Sequence, residues 1–163
     1  MVYLKWFVFL IASSAVVVSR YPASVIAVLF LSSDDKRSLT RWKWLETIDN
    51  DLSGDSGWKE EHLIGSNPVS SINRVRWLWR NGGNRFNYMT VGVPATGVPP
   101  KFIASWEAPN PGSFILRRDA FMFRRFYQLG AKSIEVFLGW ALRGPQQGRC
   151  KLVCSIRLRS SIN

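Results

Sequence analysis

The chain has 163 residues, enough for one domain with its own core and an additional segment. Its formal net charge is +11, and two cysteines and one histidine provide neither a disulfide framework nor the usual ligands of a structural zinc site. The sequence shows no paired carboxylates in apolar surroundings, no nucleophile motif and no phosphate-binding loop, so we expect no enzymatic activity and no cofactor.

The positive charge is concentrated in the second half of the chain. Residues 67–163 carry fifteen basic and three acidic side chains, whereas residues 49–66 carry one basic and five acidic side chains. A segment this basic predicts an anionic neighbour, which can be lipid head groups, nucleic acid or an acidic protein. The alternative is a basic surface that serves solubility alone.

Two apolar runs open the chain, residues 2–18 and residues 23–31, with the sequence Ser19-Arg20-Tyr21-Pro22 between them. A helix over the first run would span about 26 Å, slightly less than the roughly 30 Å of a hydrocarbon core. The second run is too short to cross a bilayer alone.

Three interpretations of these runs compete. The first is a helical hairpin or re-entrant pair, and the second is one kinked span over residues 2–31, in which Arg20 is costly at depth. The third is a cleaved signal peptide with Lys5 in its basic region, although cleavage would leave the second apolar run exposed. We predict a membrane-embedded helix pair, as a hairpin or kinked span, over residues 1–32. A buried helix pair in a soluble protein is the alternative.

A basic flank follows the apolar runs, formed by Lys36, Arg37, Arg41 and Lys43. Positive residues beside a membrane segment favour the cytoplasmic side, which predicts the inner membrane with the C-terminal domain in the cytoplasm. These four side chains are candidates for contact with lipid phosphates. Ser38 could cap a short helix that runs to about Ile48.

An acidic loop comes next and nearly matches a calcium-binding loop. Its candidate oxygen ligands are Asp49, Asp51, Ser53, Asp55 and Glu60, and Gly54 would make the sharp turn. A serine at the fifth loop position, Ser56 at a position that is usually apolar, and an exit segment that breaks at Gly65 all weaken this pattern. The alternative is a turn cluster in which the Asp and Asn side chains satisfy backbone donors.

A basic amphipathic helix is predicted from Ser71 to about Asn81, with Ser70 or Ser71 as its cap and Gly82 as its end. At helical spacing, one side carries Ile72, Val75, Leu78 and Trp79. Trp77 and the arginines lie elsewhere, and the arginines are candidate lipid or phosphate contacts: Arg74, Arg76 and Arg80. Such a helix is typical of membrane-surface binding, and equally of an ordinary helix packed on a sheet. Residues 33–83 thus form the predicted juxtamembrane region.

From Arg85 onward the apolar period changes to two, which predicts a small antiparallel sheet of about five strands within residues 84–163. The strand-like segments are residues 84–93, 101–106, 113–128, 131–143 and 149–159. The two C-terminal segments predict a hairpin with a core face, made of Ile134, Val136, Leu138, Trp140, Leu142, Cys150, Leu152, Cys154, Ile156 and Leu158. The other face is predicted to be strongly basic, and both cysteines are predicted core residues. The predicted fold class is therefore α+β.

Several patterns in this chain resemble a family of small uncharacterised, membrane-associated proteins of tailed bacteriophages. They are the apolar N-terminus, the pattern D-N-x-L-x-G-D-x-G-W ending at Trp58, the Arg/Trp helix Arg74 to Asn81, and the segment Ile134 to Leu142 followed by Ser155-Ile-Arg. The resemblance covers nearly the whole chain. It implies a phage or prophage origin and a host-membrane address, and it supplies no catalytic residues. Ser53 stands where the family pattern has Asp, which weakens a metal site here.

The function expected from these observations is that of a membrane-anchored phage accessory or interaction protein at the host inner membrane, with anionic lipids and a host or phage envelope protein as partners. Nucleic acid is the second choice of partner. It is suggested by the aromatic and arginine side chains interleaved between Phe121 and Tyr127, which suit stacking and phosphate contact.

Overall fold

The computed structural model of the protein describes residues 1–96, 112–130, 132–142 and 145–160. The helices are α1 (Val2–Phe30), α2 (Ser56–Glu61), α3 (Ser71–Asn81) and α4 (Asn84–Met89), and the strands are β1 (Val93–Pro94), β2 (Gly112–Leu116), β3 (Phe121–Leu129), β4 (Lys132–Trp140), β5 (Arg149–Cys150) and β6 (Leu152–Ser160). All strand pairs are antiparallel, in a two-stranded sheet β1-β5 and a four-stranded sheet β2-β3-β4-β6. The α+β class is confirmed. The described strands number six in two sheets, rather than about five in one.

Contacts divide the chain into two compact units. One comprises Ile11–Thr90 and is called here the helical unit; the other comprises Met1–Leu10 with Val91–Asn163 and is called the sheet unit. Residues of α1 belong to both units. The predicted strand over residues 101–106 lies outside the described residues.

The N-terminal apolar segment forms one continuous helix instead of a pair. Helix α1 runs from Val2 to Phe30 with Pro22 inside it, so the hairpin is not formed and the segment is a single long helix. The break expected before Pro22 does not occur, although proline removes one helical hydrogen bond. Nearby hydroxyl groups bond to the helix backbone: Ser24 Oγ donates to Arg20 O at 2.5 Å and Ser19 Oγ donates to Val16 O at 3.2 Å.

The core of the helical unit forms where the second half of α1 packs against α3 and the loops between them. Its buried members are Ala27, Val28, Leu39, Leu45, Leu52, Trp58, Val75, Trp77 and Leu78. The helix expected from Ser38 to Ile48 is wrong, because only a 3₁₀ turn forms at Lys43–Leu45. Trp42 precedes that turn with φ 55°, a left-handed conformation that a right-handed helix cannot contain.

Helix α3 has the predicted bounds, from Ser71 to Asn81, and ends at Gly82. Its buried side differs from the prediction, because Trp77 is buried whereas Ile72 and Trp79 are exposed. Helix α4 replaces the first half of the strand predicted over residues 84–93, and only the two-residue strand β1 (Val93–Pro94) forms at its end. Helix α4 begins after Gly83, whose φ of 82° permits the sharp junction with α3.

The four-stranded sheet contains the predicted hairpin of β4 and β6, in which Leu138 pairs with Cys154 and Glu135 pairs with Arg157. The core of the sheet unit lies at one end of this sheet. There Trp140 is fully buried and its indole N–H donates to Val91 O at 2.9 Å. Phe121 packs edge-on against Trp140 with ring centroids 6.0 Å apart.

The two faces of the four-stranded sheet differ from the prediction. Because directly paired residues share a face, the register assigns Leu138, Cys154, Ile156 and Leu158 to one face, called here the Leu138 face. Ile156 is 73% exposed and Leu158 is 61% exposed, and Cys154 is exposed too, so their assignment to the core is wrong. The opposite Glu135 face, expected to be an exposed basic surface, instead contains buried charged groups described below.

Candidate functional site

Helix α1 buries one side and exposes an apolar side. The buried or half-buried side includes Ser13, Val16, Arg20, Ser24, Ala27 and Val28. The exposed side carries Leu4, Phe7, Ile11, Val18, Val25 and Leu29, which recur at three- to seven-residue spacing and are each between 39% and 65% exposed except Val18 at 72%. This second set is called here the exposed stripe of α1. It is a continuous apolar surface along the helix.

The length and composition of α1 suffice to cross a membrane. An apolar window of eighteen residues within α1 is only 6% buried inside the protein, so this part of the helix is not a core segment. Both charged side chains of α1 have partners. Lys5 Nζ donates to Asp119 O at 3.4 Å, and Arg20 Nη1 donates to Gly82 O at 3.4 Å while its guanidinium lies over the Tyr21 ring.

The basic flank predicted after the apolar runs is present on the surface. Lys36, Arg37, Arg41 and Lys43 are all exposed. Arg37 forms an ion pair with Asp51 at 3.4 Å and Lys43 forms one with Glu46 at 3.2 Å. Because the side chain of Arg37 is 62% exposed, it remains accessible to a phosphate group.

The three arginines of α3 occupy different environments. Arg76 Nη1 donates to His62 O at 2.8 Å, and its guanidinium lies 5.7 Å from the centre of the Trp58 ring. Arg80 is exposed, with its guanidinium 6.0 Å from the same ring. Arg74 is only 3% exposed, so it cannot act as a freely solvated surface contact.

The guanidinium of Arg74 contacts hydroxyl groups from two helices. Nη1 donates to Ser32 Oγ just beyond α1, and Nη2 donates to Ser71 Oγ at 3.3 Å in the first turn of α3. Ser32 Oγ in turn donates to Val28 O at 2.7 Å. Burial lowers the pKa of Arg74 from its ordinary value, because the charged form loses hydration.

The acidic loop uses its side chains to hold its own backbone. Asp51 Oδ1 accepts from Ser53 N at 2.8 Å and from Ser53 Oγ at 2.5 Å. Asp55 caps α2 by accepting from Trp58 N at 2.8 Å. These are the bonds of the turn interpretation. Among the described residues, no group of three or more His, Cys, Asp or Glu side chains is placed to hold a metal ion. Of the remaining candidate ligands, Asp49 is exposed and Glu60 is exposed on α2.

A buried ionic cluster occupies the Glu135 face of the sheet. Glu135 is 2% exposed, and its two carboxylate oxygens accept from Arg124 Nε at 2.6 Å and from Arg159 Nε at 2.8 Å. Burial would raise the pKa of Glu135, but hydrogen bonds and charges from the two arginines outweigh that effect and lower it. Since Arg124 is buried here, the segment from Phe121 to Tyr127 does not present all of its cations for phosphate contact.

A family model matches residues 1–162. The chain belongs to this family of unknown function, DUF7338. No curated protein and no solved structure matches the chain. The function of this DUF7338 protein therefore has to be argued from its own geometry.

Two features of this DUF7338 protein were missed by sequence reasoning. The first is the pairing of Arg124 and Arg159 with Glu135, because the three residues lie on three different strands and no local pattern joins them. The second is the contact between Arg74 and Ser32, which are forty-two residues apart. The only local signal for the contact between Arg74 and Ser32 is the pair Ser70-Ser71 at the start of α3, with Arg74 three positions later.

Proposed function

We propose that this protein is a phage-encoded accessory protein anchored at the cytoplasmic side of the host inner membrane, where it contacts anionic lipids and an envelope protein without performing catalysis. The observation that carries this proposal is the exposed stripe of α1. Its apolar side chains face outward along the helix. At about 25 cal/mol per Å² of apolar surface removed from water, such a stripe strongly favours transfer to a lipid interface.

The contacts of α1 favour a helix that lies in the interface over one that crosses the bilayer. Ser13 Oγ donates to Asn87 Oδ1 at 2.6 Å, and Val28 is buried in the core of the helical unit. Folded chain therefore covers one side of α1 over about 22 Å of its length. Loops and polar groups of that chain cannot be placed in hydrocarbon. With these contacts kept, α1 inserts only its exposed stripe.

The basic flank adds an electrostatic contribution. Juxtamembrane basic side chains contribute about 1 kcal/mol each to attraction for an anionic leaflet. The four exposed residues of the flank supply this attraction from the segment that directly follows α1. A role at the inner face of the membrane is consistent with this distribution, since positive flanks favour the cytoplasmic side.

A second apolar surface supports an interaction with a protein partner. On the Leu138 face, exposed apolar side chains come from three of the four strands, β2, β3 and β6: Phe114, Leu116, Tyr127, Leu129, Ile156 and Leu158. The exposed basic residues Arg125 and Lys132 lie on the same face. An exposed sheet face that carries this many apolar side chains is typical of an interaction surface.

Membrane fractionation tests the anchoring. Bacteria expressing the full-length protein are lysed, and membranes are washed with high salt and then with alkaline carbonate. We expect the protein to stay in the membrane pellet through both washes. A triple variant of the exposed stripe, with Ile11, Val18 and Val25 each changed to Gln, should be released by salt alone.

The matched control changes three exposed apolar residues away from α1, namely Ile64, Ile72 and Met89, each to Gln. This control should remain in the pellet like the wild-type protein. Release of the wild-type protein by salt alone would contradict anchoring by α1. Equal release of both triple variants would assign the effect to general loss of apolar surface.

A further inference from the structure

The N-terminal end of α3 has the features of an anion-binding site, and its first turn contains no acidic side chain that could supply the anion. Helix α3 has eleven residues, and Ser70 is an N-cap that makes no side-chain capping bond. The first amides of a helix point outward without intrahelical partners, and the helix dipole makes this end positive. Anions bind readily at such a position.

Arg74 adds a buried positive charge to this helix start. Arg74 is 3% exposed, and among the described residues its guanidinium bonds to the Ser32 and Ser71 hydroxyls, which are neutral. Within the described part of the chain, no carboxylate lies within ion-pair distance of Arg74, and Arg74 Nε and Ser70 Oγ are buried without a hydrogen-bond partner. Burial of an unpaired cation is costly, so the arrangement is suited to an anion supplied from outside the protein.

We propose that Ser32, Ser70, Ser71 and Arg74 form a binding site for a phosphate group. A guanidinium presents parallel N–H donors that match two phosphate oxygens, and hydroxyls and helix amides can donate to the remaining oxygens. Ser71 is exposed and Ser70 is half-buried, so the cluster opens to the surface at the first turn of α3. A tetrahedral oxyanion uses this three-dimensional set of donors better than a planar carboxylate does.

A structural role accounts for only part of this arrangement. Arg74 lies beside Ser32, just after the C-terminal end of α1, and a cation there is favourable because the last turn of α1 contains no basic residue. That role explains the bond from Arg74 to Ser32. It does not require Ser70 or Ser71, so substitutions of these two serines separate the two roles.

The position of the site selects the source of the phosphate. Ser32 follows the last residue of α1 by two positions, so insertion of α1 would bring the site to the level of the lipid head groups. This step, and only this step, depends on the proposed anchoring. In the absence of anchoring, the same donors would bind a soluble phosphate compound.

The test uses the purified full-length protein and four variants. The variants are Arg74→Gln, the double variant Ser70→Ala with Ser71→Ala, Ser70→Asp, and Arg80→Gln as a control that removes the same charge from an exposed position on the same helix. Binding is measured to vesicles of phosphatidylcholine alone, of phosphatidylcholine with phosphatidylglycerol, and of phosphatidylcholine with oleate at equal surface charge. In detergent micelles, thermal unfolding is followed while inorganic phosphate replaces chloride at constant ionic strength.

We expect the wild-type protein to prefer phosphatidylglycerol over oleate by about tenfold, the effect of one charge-assisted phosphate contact. Arg74→Gln, the double serine variant and Ser70→Asp should lose this preference, because Ser70→Asp places a carboxylate in the site. Arg80→Gln should keep it. If Arg74→Gln does not fold, the two serine variants provide the test.

Two other results would decide against part or all of the proposal. If inorganic phosphate raises the unfolding temperature of the wild-type protein but not of the serine variants, and lipids show no preference, the site binds phosphate and its lipid source is wrong. If neither phosphate nor phosphatidylglycerol distinguishes the wild-type protein from the serine variants, the site is wrong. Failure to bind phosphatidylcholine vesicles contradicts the anchoring instead, and the micelle experiment still tests the site.

Discussion

Gly54 lies directly against the indole ring of Trp58: a Cβ atom on Gly54 would be 2.4 Å from Trp58 Cδ1. Gly54 also has φ of 80°, which other residues rarely adopt. The absence of a side chain on Gly54 leaves room for the ring of Trp58, which is 5% exposed and packs in the core of the helical unit. Gly54 is thus required by both space and backbone conformation.

Substitution of Gly54 should therefore be destabilising. We expect Gly54→Ala to lower the free energy of unfolding by about 2–4 kcal/mol, combining left-handed strain with overpacking. Gly65→Ala is the matched control, because Gly65 has φ of 68° and nothing within 4 Å of its added Cβ. The control should cost only about 1 kcal/mol. Urea unfolding followed by tryptophan fluorescence measures both, and equal losses would contradict the packing argument.

Removal of the Glu135 carboxylate should strongly destabilise the sheet unit. Glu135→Gln leaves two guanidiniums facing a neutral amide, and Arg124 among them is buried. Breaking a buried ion pair in this way costs about 3–5 kcal/mol. Arg159→Gln should cost far less, about 1 kcal/mol or below, because the Arg159 side chain is 48% exposed. Denaturant unfolding of the two variants should reproduce this order.

The same carboxylate predicts a loss of stability in acid. The Arg124 and Arg159 contacts hold the pKa of Glu135 below its ordinary value of 4.5, so the unfolded chain binds a proton more readily than the folded protein does. This contribution is complete above pH 4.5 and is lost as the pH falls below that value through the lower pKa of the folded protein. As the pH is lowered from neutral, the free energy of unfolding should therefore fall more steeply for the wild-type protein than for Glu135→Gln. Parallel curves would contradict the prediction.

Asn73 should be a structural residue of α3 despite its polar side chain. It is fully buried, and its amide accepts from Ile64 N and donates to Ile64 O and Asn67 O, each at 2.9 Å. Asn73→Ala leaves these backbone groups without partners, and we expect a loss of about 2–4 kcal/mol of unfolding free energy. Asn81→Ala is the control, since the bond that Asn81 Nδ2 donates to Trp77 O is long at 3.4 Å.

The orientation of α1 predicts where the ends of the chain lie. If α1 lies in the cytoplasmic interface, tags at both termini should be digested by protease in inside-out membrane vesicles and protected in intact spheroplasts. A helix that crosses the bilayer would instead place the N-terminal tag on the periplasmic side. A periplasmic protein with a tag at the same terminus confirms that the spheroplasts are intact.

The bounds of α3 could be predicted from the sequence because local chemistry decides them. Serines precede the helix, Gly82 follows it, and apolar residues recur between them at helical spacing. The hairpin of β4 and β6 could also be predicted, since apolar and polar residues alternate along both strands. The break predicted at Pro22 is wrong, because the apolar residues on both sides continue the helix through it. Proline weakens the helix there by removing one hydrogen bond but does not end it.

The sheet faces could not be assigned from alternation alone. Alternation separates the two faces but does not say which one is covered, and the usual rule assigns the apolar face to the core. Here Ile156 and Leu158 are exposed, and Glu135 is buried because guanidiniums from two neighbouring strands pair with it. The local pattern of one strand does not show which residues of other strands pair with it or which of its faces is covered.

The two cysteines differ in exposure, so the natural sequence offers a single site for a fluorescent label. Cys150 is fully buried and its burial raises its pKa, whereas Cys154 is exposed on the Leu138 face beside Ile156. A thiol-reactive fluorophore should therefore attach at one natural position without any engineered substitution. Its emission, recorded with and without added membranes, would then reveal whether the Leu138 face contacts water, lipid or another protein.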